Sequence, residues 1–298
     1  MKYALAQDSR IGARRMNQDR IGSWSTPDCL LMAVADGLGG HLYGEVAAEM
    51  AIELLGAAFQ REAGPRLADP GEFLVRTMGA AHAAILREAQ KRDLEDTPRT
   101  VLVACVVQDG HAHWTHVGDS RLYLIRDGRI VHRTRDHTVV QQLVDEGRIR
   151  EEAITSHPER NRLIQCLGGY TTPRPDPAAS ARLARNDIVL LCSDGFWGPI
   201  TQRQLLHALL SRELEDAIAE LVMLAEKRAG AECDNVSVLA MSWAEEALAA
   251  APADAFQPAA TNVQDFTATD LDYLRMSDED IEKAIAELKA ALRKTNPS

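Results

Sequence analysis

No two of the five cysteines, Cys29, Cys105, Cys166, Cys192 and Cys233, form a C-x-x-C pair, and their number is odd. That pattern excludes a zinc ribbon and a closed disulfide framework, and predicts buried free thiols in a reducing compartment, the cytoplasm. Long apolar runs are missing too. None approaches the ~18 residues of a membrane helix, and residues 1–8 lack the apolar segment of a secretory leader. No membrane partner is expected. An excess of basic charge is also absent: 33 Lys and Arg stand against 44 Asp and Glu, a formal net charge of -11. A chain that neutralises nucleic-acid phosphates shows the opposite balance, so no nucleic acid is expected as a partner. What is present is ordinary globular composition, 46% apolar and 26% charged over 298 residues, enough for a sizeable core.

Several catalytic signatures are missing. There is no G-x-x-x-x-G-K-[ST] phosphate loop, no H-E-x-x-H and no G-x-S-x-G elbow. No Cys is followed six positions on by Arg, so the cysteine-based phosphatase loop is absent. Gly37-Leu38-Gly39-Gly40 follows an apolar run, but Leu42 stands where a dinucleotide loop needs its last glycine. His111, His113 and His116 invite a zinc reading. With no Cys or fourth ligand nearby, they are read as solvent-facing strand histidines.

The composition shifts once, near residue 245. Residues 245–276 start rich in Ala and Pro and read as a linker. Residues 277–295 read as an amphipathic helix. Ser277 caps it, Asp278, Glu279 and Asp280 fill its first turn, and Lys289, Arg293 and Lys294 lie near its end. Ile281, Ile285, Leu288 and Leu292 make one apolar stripe, suited to docking on its own domain, on a partner or on a second copy. Residues 245–298 carry eleven acidic and five basic side chains, so the tail holds -6 of the net charge and residues 1–244 hold -5.

Within residues 1–244, short runs with β-branched or aromatic residues predict strands at 30–35, 101–107, 114–117, 121–125, 188–192 and 236–241. Helical periodicity predicts helices at 44–60, 70–91, 139–146, 202–210 and 213–229. The order is no regular strand–helix alternation, which argues for an α+β fold with helices packed over sheets. Arg126-Asp127-Gly128-Arg129 reads as a hairpin turn.

The informative feature is where aspartates fall. The run 30–35 ends in Asp36-Gly37, and 188–193 ends in Asp194-Gly195. The run 113–117 ends in Gly118-Asp119, Asp234-Asn235 opens 236–241, and Asp19 closes Met16-Asn17-Gln18-Asp19. An isolated Asp after a strand is normally a turn former. If several such ends converge, their carboxylates repel and raise one another's pKa values. A hard divalent cation relieves that repulsion, and Mg²⁺ and Mn²⁺ prefer oxygen ligands. The pattern therefore points to an oxygen-ligated, binuclear metal site.

Taken in order, eight segments resemble the metal-dependent Ser/Thr protein phosphatases, the PPM or type 2C family in its bacterial form. They are Arg14-Arg15-Met16-Asn17-Gln18-Asp19, Val34-Ala35-Asp36-Gly37-Leu38-Gly39-Gly40-His41 and Gly44-Glu45-Val46-Ala47-Ala48. Val117-Gly118-Asp119-Ser120-Arg121-Leu122-Tyr123, Thr134-Arg135-Asp136-His137-Thr138 and Asn161-Arg162-Leu163-Ile164-Gln165-Cys166-Leu167-Gly168 follow. The last are Leu191-Cys192-Ser193-Asp194-Gly195 and Asp234-Asn235-Val236-Ser237.

The resemblance implies a central β-sandwich of two antiparallel sheets flanked by pairs of helices, forming a catalytic domain over 1–244 with a flap at about 138–180. It implies two Mn²⁺ or Mg²⁺ ions bridged by Asp36 and a water that attacks phosphoserine or phosphothreonine in proteins. Asp194 and Asp234 would complete the protein ligands of one ion. The Gly37 carbonyl would serve the other, with Asp19 acting directly or through water. Asp119 would help hold a third, weaker ion, and Arg14 would bind the phosphate. Some members place a His directly after the Asp-Gly; here that position is Leu38, and His41 is not assigned the acid role. A phosphoprotein substrate and a cognate Ser/Thr kinase are the implied partners. The alternative is a regulatory or binding module acting through the C-terminal helix.

Overall fold

Strands that are apolar on both faces need a layer of structure on each side. The computed structural model, which describes residues 1–38 and 43–244, supplies those layers. Its chain order is β1 (Tyr3–Arg10), β2 (Asp19–Ser25), β3 (Cys29–Gly37), α1 (Gly44–Glu62), α2 (Pro70–Lys91), β4 (Thr100–Gln108), β5 (His111–Val117), β6 (Arg121–Arg126), β7 (Arg129–Arg133), α3 (Val139–Asp145), β8 (Ala179–Arg182), β9 (Ile188–Cys192), α4 (Asp194–Trp197), α5 (Gln202–Ser211), α6 (Leu214–Ala229) and β10 (Val236–Trp243). One sheet runs β1-β10-β9-β6-β7 and the other β2-β3-β4-β5-β8, every pairing antiparallel.

β3 shows how alternation builds the layers. Cys29, Leu31, Ala33 and Ala35 face outward and join the core under α1 and α2, with Leu55, Phe59, Phe73 and Leu74. Leu30, Met32 and Val34 face inward and meet Leu122, Leu191, Leu239 and Met241 of the opposite sheet. β9 and β10 repeat the division: Leu190, Cys192, Val238 and Ala240 pack with Leu205, Leu221 and Val222 under α5 and α6. Three apolar layers thus hold an α-β-β-α sandwich, as the family resemblance implies. No helix among the described residues is long and apolar enough to cross a membrane.

Helix ends follow their caps. Asp69 accepts from Glu72 N ahead of Pro70, and Thr201 and Gln204 form a capping box on α5. The hairpin expected at 126–129 joins β6 to β7. Residues 138–180, expected as a flap, contain α3, a 3₁₀ turn at Glu151–Ser156 and otherwise irregular backbone up to the start of β8, closed at the base by a bridge between Thr138 and Leu163. β1, β2 and β8 have no counterpart among the predicted strands. They are edge strands, whose partly exposed faces impose less apolar pattern. The linker at 245–276, the helix at 277–295 and His41 lie outside the described residues.

Candidate metal centre

The five aspartates come from both sheets. Asp19 opens β2 and sits directly opposite Asp36 near the end of β3. Asp194 follows β9 and opens α4, and Asp234 precedes β10, which pairs with β9. Asp119 lies in the turn from β5 to β6. The fold brings them within electrostatic reach of one another. The charges of Asp19, Asp194, Asp119 and Asp234 all act on Asp36.

Side chains from distant parts of the sequence hold this end together. Asn235 Nδ2 donates to Ile11 O at 2.9 Å and Met16 O at 3.0 Å, and Asn235 Oδ1 accepts from Gln18 N at 2.8 Å. That single amide pins the β1–β2 connection, which carries Arg14, to the start of β10. Ser193 Oγ donates to Asp19 Oδ2 at 2.8 Å and accepts from Ser237 N at 3.0 Å. Thr100 Oγ1 donates to Asp36 O at 2.7 Å. Gly37 is needed for close approach: a Cβ there would lie 2.4 Å from the Gly44 carbonyl carbon and oxygen, and 2.9 Å from Gln18 O. The start of α1 thus packs directly on the strand end that bears Asp36.

Burial is the main cost of this arrangement. Removal from water pushes the Asp19 carboxyl up to about 7, against the lowering effect of the Ser237 and Ser193 hydrogen bonds. Asp36 and Asp119 lie well above the ordinary carboxylate range, first through burial and then through neighbouring carboxylates. Asp194 is pushed up to about 6 by burial and by Asp234. Asp19 Oδ1 is buried with no hydrogen-bond partner among the described residues. Clustered carboxylate oxygens, one of them orphaned, fit a hard divalent cation such as Mg²⁺ or Mn²⁺.

Arg14 lies at the edge of this cluster. Its Nη2 stands 2.6 Å from Asp234 Oδ2, in a pair with side chains 50% and 38% exposed. Six of the seven residues singled out from the sequence, Arg14, Asp19, Asp36, Asp119, Asp194 and Asp234, therefore have contacts or field effects on one another. Gly37 adjoins Asp36 at the end of β3.

Several other residues here lie in the segments that carry the family resemblance, but the sequence assigns them no role. Ser193 and Asn235 flank the motif aspartates and look like ordinary turn residues until the tertiary contacts appear. Arg121 makes a buried bidentate pair with Asp136, Nε–Oδ1 2.8 Å and Nη2–Oδ2 2.7 Å, and lies 3.4 Å from the Trp197 ring centroid. Trp197 Nε1 in turn donates to Asp119 O at 2.9 Å. The reading of the strand histidines as solvent-facing needs correction. His116 is only 2% exposed and stacks on His137 with centroids 4.4 Å apart. The cause is the 134–138 segment, which lies over the end of β5 and covers it.

Comparison with known proteins agrees with this architecture. A family model described as Protein phosphatase 2C matches residues 6–232. The serine/threonine protein phosphatase PstP of Mycobacterium tuberculosis is 36% identical over 240 residues, which cover 80% of this chain and 44% of PstP. The chain thus spans less than half the length of that relative. The serine/threonine phosphatase stp of Listeria innocua is 30% identical over 239 residues, covering 80% of this chain and 94% of stp. Among solved structures, the S. agalactiae serine/threonine phosphatase superposes with a TM-score of 0.73 at 28% identity, covering 82% of this chain and 100% of its own. The catalytic domain of PstP in complex with 2 manganese ions superposes with a TM-score of 0.67 at 30% identity, over 82% of this chain and 99% of that one. Match and architecture together place the chain in the protein phosphatase 2C family, the PPM phosphatases.

Proposed function

We propose that this chain hydrolyses phosphoserine and phosphothreonine in proteins, using two Mn²⁺ or Mg²⁺ ions held at the aspartate cluster. The observation that carries the proposal is the crowding of desolvated carboxylates from both sheets around Asp36, with Asp19 Oδ1 left unpartnered. By the family resemblance Asp36 would serve both ions, Asp194 and Asp234 one of them, and the Gly37 carbonyl and Asp19 the other, while Asp119 would belong to a third, weaker site. The ions, when bound, neutralise phosphoryl charge and supply hydroxide near neutral pH.

The chain's own groups do the rest. Phosphoryl transfer depends mainly on positioning and charge stabilisation. The Arg14 guanidinium has five N–H donors, and its contact to Asp234 leaves others for phosphate oxygens. Asn235 fixes the Arg14 connection against β10, so phosphate and carboxylates are held in one frame. Ser193 keeps the Asp19 carboxylate oriented.

The biological partner is a phosphoprotein, and the opposing enzyme is a Ser/Thr kinase. The relatives' names as serine/threonine phosphatases support the substrate class, and a Ser/Thr kinase is the class of enzyme that makes such a substrate. Five free cysteines, four of them buried, support the cytoplasm as its compartment. The alternative of a binding module rests on residues 245–298, outside the described residues. The test is phosphate release from a phosphothreonine peptide by metal-stripped protein, with and without added Mn²⁺. Turnover only with Mn²⁺ is expected, and equal or absent turnover in both conditions would refute the proposal.

A further inference from the structure

Asp119 sits on the turn between β5 and β6. The preceding Gly118 has φ +106°, a conformation that suits glycine alone, and a Cβ there would lie 2.1 Å from Val101 Cγ1. His137 grips this turn from outside. Its backbone N–H donates to Gly118 O at 2.9 Å, and its ring Nδ1 accepts from Gly118 N at 3.1 Å. One residue therefore satisfies both backbone groups of the residue before Asp119. His137 also closes the base of the 138–180 segment, since its carbonyl accepts from Ile164 N at 2.8 Å.

The other ring nitrogen completes the picture. A backbone N–H can only donate, so Nδ1 must accept, and the neutral ring then carries its proton on Nε2. Nε2 faces Asp176 Oδ1 at 3.3 Å. Asp176 O accepts from Thr115 Oγ1 of β5 at 2.6 Å. The ring stacks on His116, whose Nε2 meets Arg135 O at 2.7 Å.

His116, His137 and Asp176 have ligand atoms within 4.8 Å of one another, which resembles a metal site. The hydrogen bonds argue against it. A metal on His137 Nε2 would displace the proton there while Nδ1 still accepts from Gly118. A ligating histidine normally donates from its second nitrogen. Here that nitrogen meets a donor.

We propose that His137 is a positioning residue, which holds Asp119 in place for the weaker metal site by clamping Gly118. The inference rests on the reading of the aspartate cluster as a metal centre. Two conservative variants separate the ring's roles. In His137→Asn, the short amide oxygen stands near the place of Nδ1 and still accepts from Gly118. In His137→Gln, the longer amide reaches toward Asp176 and leaves the Gly118 N–H unpaired.

The experiment is calorimetric titration of the metal-stripped full chain with Mn²⁺, with circular dichroism to establish folding. Loss of a group that orients a ligand weakens metal binding at least about tenfold, so His137→Gln is expected to weaken the weakest Mn²⁺ step by that factor, and His137→Asn by no more than about threefold. The tighter steps should be unchanged in both. Equal affinities in the two variants, or parallel weakening of every step, would overturn the clamp. Failure of the unmutated chain to bind Mn²⁺ at all would instead overturn the metal-centre reading on which the clamp rests.

Discussion

Asp36 bears more of the site's electrostatic strain than an ordinary turn aspartate does. Four other carboxylates act on it, and burial raises its pKa first of all. Replacing it with a neutral isostere should therefore have opposite effects on function and stability. Asp36→Asn removes a proposed direct ligand and is expected to lower kcat more than about 100-fold, beyond the 10–100-fold typical of outer-shell changes. The metal-free variant should melt higher than the metal-free parent, by about 2–4 °C for each kcal/mol of relieved repulsion. Peptide turnover and a thermal melt in EDTA check the two halves.

A second prediction concerns Asp136, which pairs with buried Arg121. Asp136→Ala leaves that guanidinium uncompensated and should destabilise the fold by roughly 3–5 kcal/mol, read from a urea midpoint. The sequence reveals Asp36, Asp119, Asp194 and Asp234 because each lies where an apolar run ends or begins, whereas Asp19 closes the polar Asn17-Gln18-Asp19 and stands out only through the family resemblance. Asn235, Ser193 and His137 have no such contrast. Their roles come from contacts such as Asn235 to Met16, 219 residues apart in the chain.

At the scale of elements, legibility follows burial. β3, β4, β9 and β10 lie inside their sheets with an apolar layer on each side, and their sequences announce them. β1, β2 and β8 stand at sheet edges and mix polar with apolar residues, so pairing rather than composition makes them strands. The junction of β3 with α1 is where element packing touches the chemistry. A Cβ at residue 37 would lie 2.4 Å from the Gly44 backbone. Gly37→Ala must push α1 or the strand end away, and is expected to weaken Mn²⁺ binding about tenfold or more while the protein stays folded. Calorimetry beside circular dichroism checks this.

For the whole molecule, the fold stores carboxylates whose ionisation the bare protein resists. Asp19 and Asp194 have folded pKa values of about 7 and about 6, raised from 3.8. A raised folded pKa means that the native state binds more protons than the unfolded state. The stability these groups contribute is present at low pH and is lost as pH rises through their folded values. Bound cations hold the same groups ionised and reverse the penalty. The gain in melting temperature on adding Mn²⁺ to metal-stripped protein should therefore grow from about pH 5 to about pH 8. A gain that is flat or falls with pH would show that Mn²⁺ acts elsewhere.

The location of bound metal is the most direct measurement. Crystals soaked in Mn²⁺ and measured at the manganese absorption edge should show two strong anomalous peaks among Asp19, Asp36, Asp194 and Asp234. Peaks only at His116, His137 and Asp176, or none near Asp36, would contradict the assignment of the aspartate cluster as the catalytic metal centre.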